Sequence, residues 1–225
     1  MNKRTQCIQI IKKMLPRIVT GMTLGSILTL GFIYPLLFSF LLLAILTHIL
    51  IVEWKNLLNW RSYTFWLLMP IYPILPFVLL ILLNHEPVYR HLILYQFVIV
   101  SGLDTGGYLI GSTIGTHKIA PRISPGKTWE GFFGGCSIAL ICFYLLMIQQ
   151  ESTAPWWVIT LITLVICIFS LLGDLFESIL KRRANVKDSG TILPGHGGFL
   201  DRFDGMLFVA LFVFCFKKQL LVWLQ

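Results

Sequence analysis

Seven apolar stretches take up most of this chain, and their length leaves little choice of fold. They run over about 18–34, 35–52, 63–83, 92–114, 131–149, 155–173 and 205–223. A helix needs about 20 apolar residues to cross a hydrocarbon core. Only helices and closed barrels satisfy every backbone polar group there. The expected fold is an all-α integral membrane protein, a polytopic helix bundle of about seven transmembrane helices (six to eight). Charged residues make up 12% of the 225-residue chain, against roughly 25% in soluble domains. That composition excludes an ordinary soluble enzyme. The first stretch is too long for a signal peptide and leads straight into the second at Tyr34-Pro35, as a tight hairpin or one broken helix.

The basic residues orient the bundle. With the N-terminus inside and seven spans alternating, fifteen of the eighteen Lys and Arg residues fall on the inner side, leaving Arg90, Lys217 and Lys218 outside. Inner loops of membrane proteins carry this excess. The N-terminus and the charged loops 115–130 and 174–204 are therefore expected to be cytoplasmic. The net charge of +8 reads as positive loops against anionic headgroups and not as nucleic-acid binding. The five cysteines are scattered through apolar segments without metal-ligand spacing and read as small buried hydrophobes.

The chain is expected to divide into N-terminal scaffold helices, 1–90, and a transmembrane region, 91–225, that carries the candidate catalytic groups and the loops 115–130 and 174–204. Pro73 and Pro76 predict an irregular middle to the third span. His48 and Glu53 read as interfacial polar residues, and Glu53-Trp54-Lys55 to Trp60-Arg61 as an aromatic and basic anchor.

The second region carries the polar groups. Asp104 interrupts an apolar span, and a carboxylate there is a candidate functional group or a structural hydrogen-bond acceptor. Gly107, Gly111 and Gly115 recur at helical spacing and permit close helix approach. The loop before the fifth span contains Ser124, Lys127 and Thr128. Gly126-Lys127-Thr128 lacks the upstream glycine and strand of a P-loop. Those three side chains, beside a helix start, can still meet phosphate oxygens.

Five of the ten acidic residues, Asp174, Glu177, Asp188, Asp201 and Asp204, fall between 174 and 204 with Lys181, Arg182, Arg183, Lys187 and Arg202. Asp174, Glu177, Ser178 and Lys181 share one face if the sixth helix continues past Leu172. Asp201 and Asp204 share a face at the start of the last helix. Asp174 and Asp201 can thus point at one place from two helices, across a glycine-rich loop. Oxygen-only ligation suits Mg²⁺, with Lys181, Arg182 and Lys187 neutralising phosphate charge. His196 has no His or Cys beside it, which argues against zinc and for a hydrogen bond holding the loop.

Ser178-x-Leu180-Lys181-Arg182, then Lys187-Asp188-x-Gly190, then Pro194-x-His196-Gly197-Gly198-Phe199-x-Asp201-Arg202-Phe203-Asp204 resembles the full motif of phosphatidate cytidylyltransferases, the CDP-diacylglycerol synthases. Asp104 to Tyr108, Ser124 to Gly131 and Gly173 to Ser178 are similar to that family's other polar motifs, so the resemblance covers roughly residues 95–215. It implies transfer of a cytidylyl group from CTP to phosphatidate, giving CDP-diacylglycerol and pyrophosphate for phospholipid biosynthesis. It also implies a bacterial inner membrane location with the site facing the cytoplasm, and a homodimer by analogy. Asp174 and Asp201 would bind Mg²⁺, with a second monovalent cation such as K⁺ nearby. Ser178, Lys181 and Lys127 would contact phosphate, and Asp204 and Asp188 would support them or ligate further. Rival readings are a cytidylyltransferase or kinase acting on another membrane lipid such as an isoprenoid, a CDP-alcohol phosphotransferase, and a transporter. The phosphotransferase's Asp-Gly-x-x-Ala-Arg opening is absent. A transporter would spread its charges and show inverted repeats.

Overall fold

In a computed structural model the protein is described at Ser26, 29–193 and 197–224. The expected first span lies almost wholly outside these residues, and so does His196. Five described helices are long and apolar enough to cross a membrane: α1 (Pro35–Leu57), α2 (Tyr63–His85), α3 (Arg90–Ile114), α4 (Trp129–Gln149) and α5 (Trp156–Arg183). A sixth crossing would be made by α6 (Leu200–Cys215) and α7 (Lys217–Leu224) together, which are bent by 82°. The last expected span is therefore not one straight helix; it breaks at Phe216, where Lys217 leaves the helix line. Its ammonium pairs with Glu86 at 2.8 Å and lies over the rings of Tyr89 and Phe214 at 4.6 and 4.5 Å. This cation-binding corner ties the bend to the α2–α3 connection.

Two of the helices are irregular. In α2 a π-helical turn, Pro70–Ile74, contains Pro73 and precedes Pro76, because neither proline offers an N–H to the helical ladder. In α1 a π-helical turn spans Ile49–Glu53. The wider turn rotates the last helical turn of α1, and both Glu53 and Trp54 end up fully buried. Trp54 packs against Phe65 and Tyr72, while Trp60 remains exposed under the Arg61 guanidinium. Of the expected interfacial anchor, Lys55, Trp60 and Arg61 stay exposed, while Glu53 and Trp54 do not.

The most extensive helix contact among the described residues joins α3 to α4. It is a backbone contact. A methyl on Gly106 would stand 2.8 Å from Gly135 Cα, and one on Gly102 the same distance from Ala139 Cα. Glycine and alanine at successive turns let the two helices close without intervening side chains. Gly107 and Gly111 extend the seam toward Gly131, and Gly111 and Gly115 meet the Thr128 side chain. The loop before α4 is not irregular coil. It forms a hairpin of β1 (Lys118–Ala120) and β2 (Ser124–Thr128), antiparallel with Lys118 opposite Thr128 and Ala120 opposite Ser124. Large apolar side chains such as Leu36, Phe40, Trp66, Phe133 and Leu161 cover the outer surface, as lipid-facing helices require.

Candidate active site

The site begins where α5 outlasts its apolar stretch. The helix continues to Arg183, ten residues beyond the expected span end, so Asp174, Glu177, Ser178 and Lys181 do share one helical face. The first turn of α6 supplies Asp201, and Asp204 follows in the next turn. Gly173 faces Gly205 closely enough that a methyl on Gly173 would stand 3.0 Å from Gly205 Cα. That approach sets Asp174 beside Asp204, and the Asp204 carboxyl turns toward those of Asp174 and Glu177.

Two lysines serve this carboxylate group. Lys181 Nζ donates to Glu177 Oε2 and to Asp201 Oδ1, both at 2.7 Å. Lys127, carried in by β2, pairs with Asp174 Oδ2. Asp174 and Asp201 are thus held by different lysines. Asp201 is 7% exposed, and its second oxygen accepts from Ser189 N (2.9 Å), Ser189 Oγ (3.0 Å) and Gly198 N (2.8 Å). Gly197 adopts φ 83° beside it, and a methyl there would meet Asp201 Oδ2 at 2.6 Å.

Three buried oxygens in this region have no hydrogen-bond partner among the described residues: Glu177 Oε1, Ser170 Oγ and the Tyr72 hydroxyl. Ser170 Oγ and Asp174 Oδ1 both border Gly205, and Tyr72 feels the charges of Glu177, Asp204, Asp174 and Asp201. Buried oxygens without donors, next to neighbouring carboxylates, are what a hard cation satisfies. Among the described residues no three His, Cys, Asp or Glu side chains form a ready-made metal cluster. A cation that keeps its waters and takes one or two carboxylates plus substrate phosphates needs no such cluster.

A cleft of about 190 Å³ opens next to Asp174. Its lining combines polar groups, from Asp104, Lys127, Thr128 and Asp174, with the apolar side chains of Leu103, Tyr108, Phe132 and Leu171. Asp104 lies on α3 within electrostatic reach of Asp174, Lys127 and Arg202.

The remaining expected residues are dispersed around this centre. Thr128 lines the cleft but also caps α4, its Oγ1 accepting Gly131 N–H at 3.1 Å. Ser124 starts β2 opposite Ala120. Arg182 is exposed and donates to the Ile123 carbonyl at 3.0 Å, fastening the hairpin to the end of α5. Lys187 and Asp188 are exposed on the loop beyond α5. Ser178 is half-buried on α5, one turn before Lys181.

The sequence reading missed Glu53. It is not interfacial but fully buried. Its Oε1 accepts from Phe199 N and its Oε2 from Leu200 N, both at 2.8 Å. Ser189 Oγ also lies 3.0 Å from Oε2, and His48 Nε2 lies 3.5 Å from Oε1. The signal applied to Asp104, a lone carboxylate within an apolar span, did not extend to Glu53, which follows the end of the expected span 35–52.

The fold is thus a helical membrane bundle that gathers carboxylates and lysines beside a cleft of mixed polar and apolar lining. The Cytidylyltransferase family model matches residues 8–220, and the chain belongs to that family. A Bacillus subtilis (strain 168) protein named phosphatidate cytidylyltransferase is 48% identical over 122 residues, 54% of this chain and 45% of the relative. Proteins of the same name from Staphylococcus saprophyticus and Staphylococcus aureus (strain COL) are each 50% identical over 119 residues, 53% of this chain and 46% of theirs. The chain spans about half the length of the curated relatives it matches.

Proposed function

We propose that the protein transfers a cytidylyl group from CTP to phosphatidate with Mg²⁺, forming CDP-diacylglycerol and releasing pyrophosphate. The observation that carries this reading is the meeting of Lys127 and Lys181 with Asp174, Glu177, Asp201 and Asp204 beside a cleft lined by both polar and apolar side chains. The names of the relatives support the substrate pair.

Phosphatidate brings its own nucleophile, because a phosphomonoester's second pKa is about 6. No strong base is required of the protein. A phosphatidate oxygen bonds to the α-phosphorus of CTP as the bond to the pyrophosphate oxygen breaks. The protein's task is to hold two polyanions in line and offset their charge. Lys127 faces the cleft and would take phosphate oxygens there once released from Asp174. Lys181, fixed by two carboxylates, presents a directed positive charge at the α5–α6 junction. Leu103, Phe132 and Leu171 give the acyl end apolar side chains next to lipid.

Asp174, with Asp204 and Glu177 beside it, is the part of the site that fits Mg²⁺, and Asp201 is the further carboxylate across Lys181. When bound, the metal would neutralise charge on the phosphates. The site is assigned to the cytoplasmic side of a bacterial inner membrane, on the strength of the fifteen basic residues on that side in the seven-span topology.

The test is incubation of the purified chain with radiolabelled CTP, phosphatidate and graded Mg²⁺. Label should enter a lipid-soluble product only when lipid and metal are both present. Failure to consume CTP would end the proposal, and preference for an isoprenoid phosphate over phosphatidate would replace the acceptor.

A further inference from the structure

We propose that Glu53 is a positioning residue for the active site, acting on Asp201 through Ser189; the inference rests on the cytidylyl-transfer reading for its kinetic part only. Glu53 stands at a distance in sequence from every other residue of the site, on α1, yet the loop between α5 and α6 is built around its carboxylate. Phe199 N and Leu200 N, at the start of α6, donate to its two oxygens at 2.8 Å. Asn56, one helical turn on, donates to the Ser189 carbonyl at 3.1 Å. Two loop glycines pack closely against the Glu53 side chain, and Gly198 also against Ser189 Oγ. A methyl on Gly198 would stand 2.6 Å from Glu53 Cδ, and one on Gly190 would stand 3.1 Å from Glu53 Cγ.

The link to chemistry is one hydroxyl. Ser189 Oγ lies 3.0 Å from Glu53 Oε2 and 3.0 Å from Asp201 Oδ2. A serine hydroxyl has a single proton to donate, so only one carboxylate receives it at a time. Asp201 in turn holds Lys181 through its other oxygen at 2.7 Å. Glu53 is buried, touches neither cleft nor lysine cluster, and so acts only through these partners. A charged acceptor is required, because each oxygen already accepts a backbone N–H. With E53Q, the new side-chain amide would aim its NH₂ at one of those N–H groups.

The experiment compares the full-length wild type with E53Q, E53D and S189A in membranes or detergent, following amide hydrogen exchange and CTP turnover together. In E53Q the amides of Phe199 and Leu200 should exchange at least about tenfold faster, with the α3–α4 seam unchanged. Its kcat should fall about 100-fold, as for a misplaced catalytic group, and its KM for CTP should rise. E53D, which keeps the charge, should recover part of both effects, and S189A should raise KM for CTP while leaving Phe199 and Leu200 protected. A merely structural role predicts turnover falling in proportion to folded protein with KM unchanged, and that result in E53Q overturns the inference. So does wild-type exchange at Phe199 and Leu200. If E53Q is not recovered folded, S189A decides: an unaltered KM for CTP refutes the relay through Ser189. A wild type that consumes no CTP refutes the proposed reaction, and exchange in E53Q then decides the inference alone.

Discussion

Gly173 of α5 meets Gly205 of α6 backbone to backbone, and the neighbouring residues, Asp174 and Asp204, are thereby set side by side. A methyl on Gly173 would stand 2.5 Å from the Asp204 carbonyl oxygen and 3.0 Å from Gly205 Cα. The contact involves main chain on both sides, so it cannot be relieved by a rotamer change. Gly173→Ala should reduce stability by about 1–3 kcal/mol, the usual range for overpacking. It should also lower CTP turnover at least about tenfold by parting the two carboxylates. Thermal unfolding and turnover per folded molecule measure the two effects separately. Gly126→Ala, with nothing within 4 Å of the added methyl, should melt like the wild type.

Lys181 is the cation shared by Glu177 and Asp201, and Glu177 is fully buried. Removing one member of a buried pair strands the other, at roughly 3–5 kcal/mol. Lys181→Met should therefore lower both stability and turnover. Glu177→Gln combined with Lys181→Met should recover much of the stability and none of the turnover. Recovery of activity in the double variant would mean that Lys181 serves only the fold.

Asp174 and Asp201 should be equally necessary for CDP-diacylglycerol formation and unequal for stability. The Lys127–Asp174 pair lines an open cleft, and such partly solvated pairs contribute about 1 kcal/mol or less. Asp174→Asn should insert and melt almost normally while losing activity. Asp201 is buried and receives hydrogen bonds from Lys181, Ser189 N and Gly198 N, with the Ser189 hydroxyl shared between it and Glu53. Asp201→Asn should lose activity and at least about 2 kcal/mol of stability. Full turnover by either variant would remove it from the metal assignment.

Chelation of divalent cations should stop CTP consumption, and added Mg²⁺ should restore it. The melting temperature of the substrate-free protein should rise with Mg²⁺ as the carboxylates gain a counter-ion. In Asp174→Asn that rise should be lost. Undiminished turnover in excess chelator would exclude a divalent metal from the reaction.

Part of this architecture is legible in the sequence. The shared face of Asp174, Glu177, Ser178 and Lys181 follows from their spacing once α5 runs on past Leu172, because residues three and four apart lie on one side of a helix. Pro73 and Pro76 announce the irregular middle of α2. Other features are misread for a common reason. The window 205–223 is apolar except for Lys217-Lys218-Gln219; hydropathy registers that interruption but carries no information about direction, so the 82° bend there cannot be read from it. Hydropathy also sets Glu53 at a boundary, since a carboxylate near the end of an apolar run is ordinarily interfacial. The π-helical turn that rotates it inward has no comparably simple composition.

The sequence by itself determined a helical membrane chain, the local grouping of its carboxylates and lysines, and the motif that resembles a cytidylyltransferase. These properties depend on neighbouring residues, and their contributions accumulate along a helix. The tertiary structure alone decided that Lys127 meets Asp174, that Lys181 joins Glu177 to Asp201, and that Glu53 closes on Leu200 across 147 positions of chain. Which distant polar groups share a dry space depends on how several helices cross, and that geometry is fixed by small-residue seams such as Gly106–Gly135 and Gly173–Gly205.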